Sequence, residues 1–247
     1  MRLRLLNSHV ILESVMRLYC LLTERKEGPY WPVAWSDKII SNPKFIDFLQ
    51  NLGISGKIGK PMHGGVGRAY PVGDQYIVKF TTDAKEAGAA ATIKGHNSDH
   101  AADIYAVHRV GMFDHPSDNR KINLYAIVMQ RLNTGVSKKF RSAGNAVYSY
   151  LDDHFGFIEN PETMIDTVIS RYLNEKQKND PAVISSISKV VYALYDIQQK
   201  TGVLSQDPHG GNIAFKSRKP AFFDFGRSST NYAHPKTQGV KITPLMQ

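Results

Sequence analysis

The chain has 247 residues, 42% of them hydrophobic and 21% charged, with a net charge of +9 and one cysteine. Those values exclude a disordered polar chain and a disulfide scaffold, and they leave room for one large core or two small lobes. Cys20 has no second thiol for an internal disulfide or a shared zinc site, so a reducing compartment, the cytoplasm, is expected. The positive balance suits an anionic partner. The basic residues are spread, however, with short clusters at 138–141 and 216–219 and no aromatic interleaving, so solvated surface is the reading rather than a nucleic-acid face.

No internal repeat or low-complexity tract interrupts the pattern. Residues 1–22 are apolar, but Asn7, His9, Glu13 and Arg17 break every candidate leader core, so an amphipathic helix is expected and no transmembrane segment. EGPYWPVAW reads as a turn-rich break, and SDKIISNPKFIDFLQNLG as a helical stretch ended by Gly53. From Ile58 to Phe80 the pattern becomes short and extended: a glycine cluster, RAYPV, a Gly73-Asp74 turn, then QYIVKF. An alanine-rich helix capped by Asp83 follows, then two strands, ADIYAVHRVGMF and INLYAIVMQRL, with HPSDNRK looping between them. Beyond about residue 143 the period is helical, most clearly in ISSISKVVYALYDIQQKTG.

Two constellations carry chemistry. In MHGGVGRAY the absence of side chains lets backbone amides approach a phosphate, although glycines also mark an ordinary hairpin. Lys79 lies twelve residues past Gly67 on the next strand, and an inward lysine there needs an anion. The second constellation is QDPHGGNIAF followed by FFDFG. Proline and glycine keep Asp207 and Asn212 out of a helix, so a loop brings a carboxylate and a carboxamide to one cleft, and Asp224 enters from the next strand end. Such oxygen donors suit magnesium, and Asp207 is free to accept a hydroxyl proton. Singly, each of these residues reads as a turn former or a cap. His96 and His100, four apart with Asp103 nearby, lack a glutamate and lie in a polar loop, so no zinc site is read there.

In order and interval these segments resemble the eukaryotic-type protein kinase superfamily from about residue 58 to 226. The resemblance implies an α+β, two-lobed fold with a small β-rich N-lobe and a trimmed helical C-lobe. It divides the chain into an N-terminal helical extension (1–55), an N-lobe with glycine-rich loop and hinge (56–132) and a C-lobe (133–247). It implies ATP contacts at Gly64, Gly65, Gly67, Lys79, Glu86, Met129 as gatekeeper, Gln130 and Leu132. Asp207 and Lys79 would be catalytic, and Asn212 and Asp224 would hold magnesium. His209, where many protein kinases carry lysine, is more like the aminoglycoside and choline kinase relatives.

Departures accompany the likeness. Met62 replaces the first glycine of the loop, Ser205 and Gln206 replace His-Arg, Glu86 follows Lys79 by seven residues, and 21 residues follow Gly226 with no Ala-Pro-Glu. The function expected is an ATP- and magnesium-dependent kinase, first a serine/threonine protein kinase with a protein substrate. The alternatives are a small-molecule kinase and a pseudokinase acting as a nucleotide-binding interaction module.

Overall fold

A computed structural model describes residues 31–63, 67–96, 98–114, 120–154, 156–231 and 241–245. The helix expected over residues 1–22 and the glycines Gly64 and Gly65 lie outside the described residues. The chain enters through α1 (Trp31–Ile40) and α2 (Pro43–Asn51). The WPVAW stretch expected to be a break thus begins a helix, because a proline in the first turn gives up an N–H that has no intrahelical partner there. The single helix expected from Ser36 splits at Asn42, whose side chain accepts from the Lys44 N–H at 2.9 Å and caps α2. Gly53, at φ +74°, ends α2 as the sequence suggests.

The strands β1 (Met62–His63), β2 (Gly67–Val72), β3 (Tyr76–Thr81), β4 (Ile104–Asp114) and β5 (Lys121–Gln130) are antiparallel neighbours, and α3 (Ala84–Ile93) joins β3 to β4. A last strand, β10 (Thr243–Pro244), completes the order β1-β2-β3-β5-β4-β10 and runs parallel to β4. Side chains two apart share a face of this sheet. Tyr70, Val72, Val78, Phe80, Ala126 and Val128 turn outward to bury Ile39, Ile40, Phe45 and Leu49 of α1 and α2. Ile77, Ile127 and Met129 turn inward, where they join Ala89, Ala90 and Ile93 of α3 and the core of the second lobe.

The second lobe holds α4 (Lys138–Asp153), α5 (Pro161–Tyr172), α6 (Glu175–Lys178) and α7 (Pro181–Thr201). In α7 the apolar positions Val183, Ile187, Val190, Val191, Leu194 and Ile197 make one buried stripe. Asp180 caps its start through the Ala182 N–H, and Gly202 ends it in the left-handed region at φ 72°. Two short antiparallel ladders follow, β6 (Val203–Ser205) with β9 (Ser228–Thr230) and β7 (Ile213–Lys216) with β8 (Lys219–Phe222).

The architecture is therefore α+β in two lobes, a small β-rich lobe and a helical one. Two boundaries differ from the sequence expectation. The helices of the supposed extension share a core with the first lobe's sheet, and β10, counted in 133–247, belongs to that sheet too. Without it β4 would present an open edge; the Leu245 N–H donates to the Arg109 carbonyl there at 2.9 Å. Among the described residues no helix is long and apolar enough to cross a membrane.

Candidate active site

Alternation along β3 places Lys79 on the inner face, paired with Ala69 of β2 and Ile127 of β5, with its side chain only 15% exposed. An ammonium group in such a place is costly unless anions meet it. Two do. Glu86, from the first turn of α3, forms an ion pair with Lys79, and Asp224 Oδ2 lies 3.0 Å from the Lys79 Nζ. The seven-residue interval from Lys79 to Glu86 suffices because Asp83 starts α3 at once, accepting from the Lys85 N–H at 2.7 Å. Burial opposes the charge on Lys79, but the two carboxylates outweigh it and hold its pKa above the ordinary lysine value. Burial likewise pushes Asp224 up; Lys79 and the Gly226 N–H, which donates to Asp224 Oδ1 at 3.1 Å, more than reverse that. Phe225 of the same loop is buried in the inner core, which leaves Asp224 turned toward Lys79.

Residues 207–212 form a tight loop between β6 and β7. The Asn212 N–H donates to the His209 carbonyl at 2.8 Å, and the Asn212 side-chain amide donates to the Asp207 carbonyl at 3.0 Å. The Gly210 N–H donates to Asn145 Oδ1 of α4 at 2.9 Å. Both glycines at this contact are sterically required. A Cβ on Gly210 would lie 2.8 Å from the Arg141 Cα, and one on Gly144 would lie 2.7 Å from the Pro208 carbonyl oxygen. Ser205, which departs from the expected motif, is buried and donates to the Asp224 carbonyl at 3.3 Å, so it ties the two acidic loops together. Burial is the main influence on Asp207 and raises its pKa. His209, 3.7 Å away, and Arg227 pull the other way, Asp224 and Asp152 push with burial, and the net is above the ordinary aspartate value.

Asn212 and Asp224 fit a hard cation by their chemistry. The bond to Asp207 uses the Asn212 amide nitrogen and leaves its oxygen for another partner, and Asp224 is an ionised carboxylate held by its own loop. Among the described residues no three His, Cys, Asp or Glu side chains gather as a metal cluster. A carboxylate and a carboxamide supplemented by phosphate oxygens and water are what magnesium accepts. His100 and Asp103 are otherwise engaged, His100 Nδ1 with the Pro220 carbonyl at 2.8 Å and Asp103 with Lys216 at 2.6 Å.

The other expected nucleotide contacts are placed unevenly. Gly67 opens β2, where a Cβ would lie 2.6 Å from the Phe80 carbonyl oxygen, so strand pairing alone demands glycine there. Met129 is buried between Ile77 and Ile104 on β5, and Leu132 packs half-buried on the same core. The Gln130 N–H is engaged by the Asp103 carbonyl at 2.8 Å. Sequence reasoning missed Gly144 and Asn145, whose helical setting hides their contact with the loop, and also Tyr148, Asp152 and Arg227. In the sequence the only sign of the last is a cation directly after Asp224-Phe225-Gly226.

No protein-family model and no curated protein matches this chain. Some solved structures resemble it weakly. One is the ternary complex of streptomycin, ATP and APH(2″)-IIa, at 11% identity over 77% of this chain and 72% of that one, TM-score 0.34. Another is the ADP-bound aminoglycoside phosphotransferase APH(2″)-Ib, at 10% identity over 77% and 72%, TM-score 0.32. A third is the complex of APH(2″)-IIia with GDP and kanamycin, at 10% identity over 83% and 75%, TM-score 0.33. Likenesses at such values carry no argument about this chain, and its chemistry rests on the cleft itself.

Proposed function

We propose that the chain is an ATP- and magnesium-dependent phosphotransferase acting on a hydroxyl acceptor. The observation that carries this reading is Lys79 buried between Glu86 and Asp224, while Ser205 ties Asp224 to the strand leading into Asp207. The two carboxylates keep a half-buried ammonium charged and positioned in the cleft, and Asp224, once it holds magnesium, would free Lys79 for phosphate oxygens. In the reaction the acceptor oxygen attacks the γ-phosphorus, its proton passes to Asp207, and the bond from phosphorus to the β–γ bridging oxygen breaks to release ADP. The raised pKa of Asp207 makes it a better proton acceptor than an ordinary aspartate. Lys79 binds phosphate oxygens and Glu86 orients it. Asn212 and Asp224 hold magnesium, which when bound neutralises phosphate charge.

For the acceptor we favour a small hydroxyl-bearing molecule. The groups gathered near Asp207 are Tyr148 and Asp152 of α4, His209 of the Asp207 loop and Arg227 after the Asp224 turn, linked by contacts among themselves. Polar side chains fixed on a rigid helix suit the recognition of a small polar molecule. A protein serine or threonine is the competing acceptor, and nucleotide binding without transfer the competing role.

One experiment separates the three. The purified chain is incubated with γ-labelled ATP, magnesium and a whole lysate, and the products are resolved into protein and metabolite fractions. The label is expected in metabolites. Asp207→Asn should lower transfer at least about a hundredfold while keeping magnesium-ATP binding, and Asp224→Ala should weaken both. Label in protein would reassign the acceptor. No label in either fraction, with binding retained, would make the chain a pseudokinase.

A further inference from the structure

Arg227 follows the Asp224-Phe225-Gly226 turn directly, and it is the first residue after that turn to reach the helical lobe with its side chain. One guanidinium nitrogen donates to the Tyr148 hydroxyl at 2.6 Å and another to Asp152 Oδ1 at 2.6 Å; the group also lies 5.4 Å over the Tyr148 ring. Both partners belong to α4, one turn apart, so the planar fork is met at two points and over its face. The main chain of the same residue acts in the other direction. Its carbonyl accepts from the Gln206 N–H at 2.7 Å, immediately before Asp207, and the β6–β9 ladder continues from there with Ser205 opposite Ser228. Tyr148 in turn stands edge-on to His209, whose ring is 3.7 Å from Asp207. Arg227 is thus bonded at once to the magnesium-facing loop, the strand entering the catalytic loop, and the helix beneath both.

We propose that Arg227 is a positioning residue, a clasp that fixes the separation of Asp207 and Asp224 by fastening both of their loops to α4. The proposal rests on the phosphotransferase reading for its catalytic consequence, though not for its structural one. The Arg227 and Asp152 side chains are 44% and 46% exposed, so as a surface ion pair the contact adds little to global stability. Transfer tolerates misplacement far less well, because a shift of about 1 Å between reacting groups costs on the order of a hundredfold in rate. Loss of the clasp should therefore appear in turnover and local order and barely in melting.

The test uses the full chain with Arg227→Ala, Arg227→Lys, Tyr148→Phe and Asp152→Asn. Amide hydrogen exchange is followed over residues 203–212 and 224–230, together with steady-state magnesium-ATP turnover and magnesium-dependent binding of a non-hydrolysable ATP analogue. For Arg227→Ala we expect exchange in both segments to rise at least about tenfold and kcat to fall about 30-fold or more. KM for ATP should change less than about threefold, and the melting temperature should move by less than about 3 °C. Arg227→Lys, whose single ammonium reaches one partner, should fall between wild type and alanine; Tyr148→Phe, which keeps the ring and loses the hydroxyl, should do the same. Unchanged exchange in both segments overturns the clasp whatever the turnover does. So does a kcat loss that Arg227→Lys leaves as deep as alanine. A wild-type chain that neither binds nor turns over nucleotide would instead refute the phosphotransferase reading, and the exchange comparison would still decide the clasp. If Arg227→Ala fails to fold, the lysine and Tyr148→Phe variants carry the same comparison.

Discussion

Tyr70 shows how one hydroxyl can fasten a helix to a sheet. It is 2% exposed beneath α1, donates to Asp37 Oδ1 at 2.5 Å and lies 3.2 Å from Ser36 Oγ, while Arg68 reaches the other oxygen of Asp37 at 3.2 Å. Burial, then the bond to Asp37, raises its pKa from 10.0 to about 12. A folded value above the unfolded one means that the native state keeps a proton the unfolded chain gives up. The contribution of Tyr70 is therefore complete below about pH 10 and is lost as pH rises toward 12. Tyr70→Phe should be less stable than wild type at neutral pH by about 1 kcal/mol, and the gap should close between pH 10 and 12. Paired urea titrations across that range would show it; a gap independent of pH would refute the assignment. The sequence gives the alternating pattern of RAYPV but not this bond, since Asp37 lies 33 residues away on α1.

At the scale of elements, legibility followed the range of the interaction. The β2–β3 hairpin turns at Gly73, φ +57°, as glycine in that pattern requires, and Asp83 caps α3 as its spacing implies; both are contacts within a few residues. The acidic constellation could also be read, because its loop is built from near neighbours. What could not be read were the surfaces it docks on: Gly144 and Asn145 meet the loop some 65 residues later in the chain, where helix periodicity says nothing. The β7–β8 hairpin is another instance. KSRK looks like a solvated basic cluster, yet Lys216 is turned inward to the Ser98 carbonyl at 3.0 Å and to Asp103 at 2.6 Å. Ser217 and Arg218 form its two-residue turn at φ 49° and 69°. Both central residues at positive φ are what a type I′ turn demands, and non-glycine residues pay for it in steric strain. Both are exposed, so Ser217→Asn with Arg218→Gly should stabilise the chain by about 1 kcal/mol without touching Lys216. Thermal or chemical denaturation checks it, and a destabilised double variant would show that the side chains hold the turn.

Across the whole molecule, the main chain passes from the first lobe to the second after β5 and is back in the first at β10. Removing residues 241–247 should uncover the outer edge of β4. Amide exchange around His108–Val110 should then rise about tenfold or more while α7 stays protected, and exchange unchanged at that edge would mean that β10 contributes nothing to it. The return has a mechanical consequence as well. Because β10 lies in the same sheet as β1 to β5, the helical lobe is an insertion whose two ends leave from and come back to one body. A load applied between α1 and Leu245 would run through that sheet and bypass the lobe that carries Asp207. The first link to shear would be the two-residue ladder that joins β10 to β4. Only after it parted would tension reach Arg227 and the cleft, so β10 is placed as a mechanical fuse ahead of the site.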